Sequence, residues 1–145
     1  LNRAYALTEV QRTIALNELV QQYGVQTGKK ALMLAGIAQP QVFFDMLMDL
    51  GFAGETLALP DHASFDAALA ERLIQLQNEK TCAVVLMTEK DAVKCLPWIE
   101  AFPALAASIW VLPLSVRQDE GWQAFAQHII SRLKGLAQNF SLRGK

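Results

Sequence analysis

Short, continuously apolar runs alternate along this chain with segments of helical periodicity, and this alternation constrains the fold more than any other feature. The clearest run lies in Cys82 to Met87, where Ala83-Val84-Val85-Leu86 predicts a strand buried on both faces of a sheet. Shorter runs predict strands at Ala31 to Ala35, Glu55 to Leu59 and Ser108 to Leu112. Strands and helices in alternation predict a Rossmann-like α/β fold of three layers (α/β/α), in which helices cover both faces of a mainly parallel sheet.

Helical patterns fill the intervals between these strands. Apolar residues from Ala6 to Tyr23 fall near helical spacing, so that stretch is predicted as one helix. Pro40 suits the first turn of a helix that stops at Gly51. Ser64 or Asp66 is predicted to cap the helix that precedes the buried strand.

The end of the chain carries one more amphipathic pattern, from Glu120 to Leu136. Packing of this helix on the sheet is the main interpretation, and contact with a membrane surface is the alternative. No repeat, low-complexity tract or linker divides the chain. Residues 1–138 are therefore predicted to form a single α/β domain, followed by a loose tail at 139–145.

Charge and cysteine content exclude several classes of protein. The net charge is -1, from 13 basic and 14 acidic side chains, so the basic excess typical of a nucleic-acid binder is missing. No apolar run approaches the length of a membrane span, and the chain is expected to be soluble. Cys82 and Cys95 lack metal-ligand spacing and are expected to be reduced structural thiols, with no metal site predicted.

Three polar clusters directly follow predicted strands: Gly36 to Pro40, Pro60-Asp61-His62, and Thr88-Glu89-Lys90-Asp91. Because ligands of open α/β sheets bind beyond the carboxyl ends of the strands, these clusters are expected to converge on one functional edge. For Gly36 to Pro40, the exposed N–H groups of a helix start favour an anion, whereas a need for backbone freedom explains the glycine without any ligand.

The other two clusters also have a structural and a functional interpretation. Asp61 is suited to orienting the His62 imidazole or holding a metal-bound water, but local turn hydrogen bonds explain the pair equally well. Thr88 and Asp91 fit a capping box, with Thr88 accepting from the backbone and Asp91 reaching back. Lys90 is placed to offer an ammonium group to a phosphate or a carboxylate.

A glycine-rich stretch from Gly24 to Lys30 looks superficially like a phosphate-binding loop. It has three residues between its glycines where that loop needs four, Lys30 stands where the loop needs Ser or Thr, and the stretch precedes a strand instead of following one. It is predicted to be a helix stop and a turn.

The three clusters also carry a family resemblance. Residues 34–44, LAGIAQPQVFF, resemble a segment of the tetraacyldisaccharide 4'-kinases that reads AGIGNPxRFF. Residues 57–65, LALPDHASF, are similar to the family's PDHHxF, and residues 86–94, LMTEKDAVK, match its MTEKDAVK closely. Residues 110–113, WVLP, look like the strand that follows. The chain departs from the pattern at Ala38, at Gln39 and at Ala63, which replaces a second histidine and leaves His62 as the only imidazole of that loop.

The resemblance implies a two-domain kinase with a P-loop fold, of which this chain is the C-terminal half. Such a kinase uses Mg-ATP to phosphorylate the 4'-hydroxyl of a tetraacyldisaccharide 1-phosphate in lipid A and lipopolysaccharide biosynthesis, at the cytoplasmic face of the Gram-negative inner membrane. The P-loop, the magnesium ligands and the catalytic residues are expected in an N-terminal half. Because this chain starts at Leu1 and has no P-loop, the resemblance also implies that it is inactive alone.

By the same resemblance, this half closes over the nucleotide. His62 is the first residue expected to contact it, with Asp61 beside it. Thr88, Glu89, Lys90 and Asp91 are expected to line the same edge, and Gly36 to allow close approach of backbone to ligand.

Two other hypotheses compete with the kinase interpretation. One is a non-catalytic docking module of α/β fold with no small-molecule site of its own. The other is an unrelated enzyme of flavodoxin-like architecture, which ranks last because the chain has no G-x-G-x-x-G motif and no acidic cluster for a cofactor.

Overall fold

A computed structural model describes residues 3–7, 13–60 and 63–112 of the chain. Its strands are β1 (Arg3–Ala6), β2 (Thr13–Ala15), β3 (Lys30–Ala35), β4 (Gly54–Ala58), β5 (Cys82–Thr88) and β6 (Ile109–Leu112). Its α-helices are α1 (Leu16–Tyr23), α2 (Pro40–Leu50), α3 (Ala67–Glu79), α4 (Glu89–Cys95) and α5 (Pro103–Ala107). Two short 3-10 turns, Val25–Thr27 and Ile99–Ala101, complete the described elements.

The strands form one sheet in the order β2-β1-β6-β5-β3-β4. The four strands from β6 to β4 run parallel to one another, whereas β1 pairs antiparallel with both β2 and β6. This mainly parallel sheet, with helices on both faces, confirms the predicted three-layer α/β/α fold.

Each face of the sheet has its own hydrophobic core, because successive side chains of a strand point to opposite faces. Met33 of β3 and Leu86 of β5 pack with α1 and α2 on one face. Leu32 of β3 and Val85 of β5 pack with α3, α4 and α5 on the other. The central strands are therefore apolar from Ala31 to Ala35 and from Cys82 to Met87, as the sequence indicated.

The predicted helix boundaries between β3 and β5 are confirmed. Pro40 is the first residue of α2, and Gly51 closes that helix in the left-handed conformation at φ 117°. Of the two predicted caps of α3, it is Asp66 that accepts a hydrogen bond, from the Leu69 N–H at 3.0 Å. These residues act within their own turn, which is why the sequence alone located Pro40 and Gly51 and limited the cap of α3 to Ser64 or Asp66.

The predicted helix from Ala6 to Tyr23 is wrong at Ala6 and at Thr13–Ala15. Arg3–Ala6 and Thr13–Ala15 are the paired strands β1 and β2, and the helix begins only at Leu16. The reason lies outside the segment, because β1 also pairs with β6, with Tyr5 opposite Val111. A partner strand that comes so much later in the chain leaves no trace in local periodicity.

The glycine-rich stretch before β3 is a turn, as predicted. The Gly24 N–H closes α1 on the Val20 carbonyl at 2.6 Å, and Gly28 adopts φ 78° after the 3-10 turn. The predictions for the helix from Glu120 to Leu136 and for the tail at 139–145 lie outside the described residues. Within the part of the chain that the structure describes, no helix is long and apolar enough to span a bilayer.

Candidate functional site

The candidate site lies beyond the carboxyl ends of β3 and β5, the two central neighbours of the parallel part of the sheet. Helix α2, which follows β3, covers one face of the sheet, and α4, which follows β5, covers the other. Chain connections that diverge in this way leave a crevice at the strand ends, where open α/β sheets bind their ligands. Gly36 follows β3 at this position, Thr88 ends β5, and Glu89 to Asp91 form the first turn of α4.

The carboxylate of Asp91 joins these two segments. Its Oδ2 accepts a hydrogen bond from the Gly36 N–H at 3.0 Å, across 55 positions of sequence. The Thr88 hydroxyl lies 3.4 Å from the same oxygen, and the Asp91 N–H donates back to that hydroxyl at 3.3 Å. Thr88 therefore caps α4 as predicted, and Asp91 reaches back to it but also crosses to the neighbouring strand.

Asp91 is a fully buried acid, at 0% exposure. Burial raises the pKa of its carboxyl group, opposed first by the Gly36 N–H and then by the Lys94 ammonium, the Thr88 hydroxyl and Lys90. The Lys94 Nζ lies 3.9 Å from Asp91 Oδ1, an oxygen that accepts no hydrogen bond in the described structure. The ion pair and the two hydrogen bonds thus support the ionised form in a site that disfavours charge.

Gly36 has an internal reason to be a glycine. A Cβ on this residue would lie 3.2 Å from two ring carbons of Phe65 and 3.3 Å from Asp91 Oδ1. The space beside its Cα is thus occupied by two side chains of this chain, and its N–H is already donated to Asp91. Close approach to the Gly36 backbone is thus used for packing between loops, and the approach of a ligand that the resemblance implies stays a prediction.

Two residues of this cluster were missed by the sequence-based reasoning. The Lys94 ammonium lies 5.1 Å from the centroid of the Phe65 ring as well as beside Asp91. The spacing of Asp91 and Lys94, one helical turn apart, was a signal that could have identified the ion pair. Nothing local in the sequence indicated that Phe65 would reach Gly36.

Glu89 is the other buried acid of the edge, at 3% exposure. Burial raises the pKa of its carboxyl group to about 7. Its Oε2 accepts no hydrogen bond in the described structure. At neutral pH a large fraction of Glu89 is therefore protonated, and this edge carries less negative charge than its sequence suggests.

The remaining predicted site residues differ in what the structure shows of them. Lys90 is exposed on the first turn of α4. Asp61 and His62 lie outside the described residues, so their predicted contact with a nucleotide stays a prediction. Their described neighbours Pro60 and Ala63 are joined by a hydrogen bond of 3.0 Å from the Ala63 N–H to the Pro60 carbonyl.

Three further findings concern sites of other kinds. Among residues 3–7, 13–60 and 63–112, no three His, Cys, Asp or Glu side chains are grouped in a way that could hold a metal ion. A cavity of about 420 Å³ lies near the start of β3 and β5, away from the candidate edge, and is lined by Gly28, Lys29, Gln77, Asn78, Thr81, Cys82 and Ala83. Cys82 and Cys95 are both free and buried, and burial raises the pKa of each thiol.

Comparison with known proteins identifies the family. The family model described as tetraacyldisaccharide-1-P 4'-kinase matches residues 3–134, which include every strand and helix of the described fold. The chain belongs to this kinase family. The tetraacyldisaccharide-1-P 4'-kinase family thus accounts for the four segments whose resemblance the sequence first suggested.

Curated relatives of this kinase family agree with the match. A tetraacyldisaccharide 4'-kinase of Polynucleobacter necessarius is 31% identical over 132 residues, which are 91% of this chain and 32% of the relative. Those of Methylobacillus flagellatus and Neisseria gonorrhoeae are 34% and 36% identical, over 88% and 76% of this chain and 31% and 27% of their own lengths. The chain thus spans about a third of the length of the relatives it matches. No solved structure matches it.

Proposed function

We propose that this chain forms the nucleotide-closing part of an ATP-dependent kinase that phosphorylates the 4'-hydroxyl of a tetraacyldisaccharide 1-phosphate in lipid A biosynthesis. The match to the kinase family across residues 3–134 carries this proposal. The position of the candidate edge supports it, because the crevice between β3 and β5 is where a sheet of this topology receives a ligand.

The charges at this edge fit the phosphates of a nucleotide better than the sequence indicates. Asp91 is paired internally with the Gly36 N–H and with Lys94. Glu89 has a pKa of about 7 and is partly neutral at physiological pH. The exposed Lys90 ammonium is then the described group best placed to attract a phosphate.

In this proposal the chain positions the nucleotide and excludes water, and a P-loop domain supplies the chemistry. Mg-ATP, when bound, provides the phosphoryl group, and transfer of such a group depends on positioning and charge stabilisation. Closure of a second domain contributes both without supplying a base. The 145 residues contain no G-x-x-x-x-G-K-[ST] motif, so we propose that the P-loop domain, the magnesium ligands and the catalytic base belong to a partner domain. We also propose that this activity takes place at the cytoplasmic face of the Gram-negative inner membrane, where a lipid substrate is accessible.

The test is a titration of the 145-residue chain with Mg-ATP, followed by NMR on the backbone amides and both histidine rings. Saturable shifts at His62 and at the start of α4, with none at His128, are the expected result. Lys90→Met should weaken binding, whereas Lys80→Met, which removes an exposed charge at the start of β5, should not. Shifts that are absent or equal at both histidines would contradict a nucleotide site. ATP-dependent 4'-phosphorylation by this chain alone would contradict its proposed dependence on a P-loop domain.

A second candidate function is a docking module that contacts the P-loop domain and binds no nucleotide itself. The Gly36 N–H favours it, because a donor already bonded to Asp91 is not free to hold an anion. The discriminating experiment measures nucleotide affinity in an enzyme that contains both domains, with and without His62→Ala. Unchanged affinity supports docking, and reduced affinity supports the nucleotide site.

A further inference from the structure

Three loops follow the parallel strands β5, β3 and β4, and they meet around Gly36. Asp91, after β5, accepts the Gly36 N–H at 3.0 Å. Phe65, which precedes α3 in the segment that follows β4, places two ring carbons 3.2 Å from the point where a Gly36 Cβ would lie. Gly36 is thus held between an acid and an aromatic ring from its two neighbouring strand connections.

One side chain contacts both of these neighbours. The Lys94 Nζ lies 3.9 Å from Asp91 Oδ1 and 5.1 Å from the centroid of the Phe65 ring. Its side chain is 30% exposed, so the ammonium is partly withdrawn from water while it makes both contacts. An ammonium group over an aromatic face and beside a carboxylate is attracted to both.

We propose that Lys94 is a positioning residue that acts through Asp91 and Phe65 to fix the Gly36 loop at the nucleotide edge. The inference rests on the proposed function for its consequence, because the edge that Lys94 organises is the one assigned to the nucleotide. The inference assigns to Lys94 a role in nucleotide binding in which the lysine does not contact the nucleotide itself. Its role is to keep the segments after β3, β4 and β5 in one arrangement, so that a ligand meets a preformed edge and does not have to order it.

The geometry explains why a lysine at this position does more than balance charge. Asp91 is fully buried and Phe65 is 8% exposed, so neither side chain can turn outward to find another partner in solvent. Lys90 also lowers the pKa of Asp91, but it is exposed and no contact joins it to the Phe65 ring among the described residues. Lys94, by contrast, places its ammonium group beside both the acid and the ring.

Amide hydrogen exchange on the complete 145-residue chain tests this inference without nucleotide. Lys94→Met keeps the aliphatic stem and removes the charge, and Lys94→Gln provides a second neutral variant. We expect the Gly36 amide to exchange about three- to thirtyfold faster in both, from the combined loss of a partly exposed ion pair and a cation–π contact. Amides inside β3 and β5 should keep their rates. Lys94→Arg should restore the Gly36 rate to within about twofold of the original, because a guanidinium makes both contacts.

The control is Lys80→Met, which removes the same charge from an exposed position at the start of β5. An unchanged Gly36 rate in the neutral Lys94 variants would overturn the inference. A uniform acceleration of all core amides would also overturn it, because that marks a general loss of stability.

Mg-ATP affinity, measured on the same variants, separates this inference from the proposed function. A dissociation constant that rises in Lys94→Met and recovers in Lys94→Arg supports both. If neither the original chain nor any variant binds Mg-ATP, the proposed nucleotide site is wrong. The Gly36 exchange rates then still decide the role of Lys94.

Discussion

Replacing Asp91 with alanine gives the sharpest test of how the candidate site is held together. The substitution leaves the Gly36 N–H buried without its acceptor, which costs about 1–3 kcal/mol. Loss of the partly exposed Lys94 ion pair adds at most about 1 kcal/mol. Relief from burying a carboxylate works in the opposite direction, since burial raises the pKa of Asp91. We therefore expect a net loss of about 1–3 kcal/mol in the free energy of unfolding.

The assay is urea unfolding at neutral pH, analysed by linear extrapolation with the slope compared between variants. Asp91→Asn keeps the size of the side chain and an acceptor oxygen for Gly36, so it should cost about 1 kcal/mol. Asp45→Ala is the matched control, because Asp45 is exposed on α2, where its carboxylate accepts a hydrogen bond from the Gln41 side chain at 2.8 Å. It should change stability by less than about 0.5 kcal/mol.

Two results would refute this reasoning. If Asp91→Ala costs no more than Asp45→Ala, the buried hydrogen bond to Gly36 contributes nothing measurable. If Asp91→Asn is as costly as Asp91→Ala, the negative charge matters and the acceptor does not, and the Gly36 bond is not the main contribution.

Three further predictions concern a cap, a glycine and a buried acid, all measured by unfolding. Asp66→Ala removes the side-chain cap of α3 and should cost about 1 kcal/mol. Gly54→Ala should destabilise the fold by more than about 3 kcal/mol, because Gly54 has φ 148° and an added Cβ would clash with the backbone of Ala31. Gly28 also has a positive φ, of 78°, but it faces open space, so Gly28→Ala should cost only about 1 kcal/mol. Glu89 has a pKa of about 7 in the folded chain, above its unfolded value of 4.5, so its contribution to stability falls as the pH rises between these values. Glu89→Gln should therefore gain stability relative to the original chain with rising pH, by up to about 3 kcal/mol at pH 8.

Each of these three predictions has a result that contradicts it. If Asp66→Ala leaves the free energy of unfolding unchanged, the Leu69 N–H finds another acceptor. Equal costs at Gly54 and Gly28 would show that the Ala31 backbone moves easily away from a new Cβ. A stability difference between Glu89→Gln and the original chain that stays constant from pH 4 to pH 8 would show that Glu89 titrates at the same pH in both states.

The identity of the family was within reach of the sequence, and the residue-level site was not. The segments around Gly36 and Thr88 resemble motifs of the kinase family, and the family match confirms that resemblance. The predicted nucleotide contacts at Asp61 and His62 stay predictions, because they lie outside the described residues. A motif names the residues of a site, but it does not say which of them contact a ligand and which contact one another.

What the sequence determined by itself is the part of the structure that depends on short-range physics. Continuous apolar runs placed β3, β5 and β6, and Pro40, Gly51, Asp66 and Thr88 marked the ends of helices within a single turn of their own position. A proline at a helix start, a glycine at its end and a side-chain cap each satisfy or avoid a backbone group nearby, so no knowledge of the rest of the fold is needed.

Tertiary structure decided everything that requires a distant partner. Thr13–Ala15 falls within the helix that local periodicity predicts, but it is a strand because it pairs with β1, which in turn pairs with β6. The Asp91 side chain bonds Gly36 because β5 lies beside β3, an order that the sequence does not display. The free energy of these contacts is gained only after the sheet has brought the residues together, and hydrophobic periodicity reports which face of an element is buried, never which neighbour covers it.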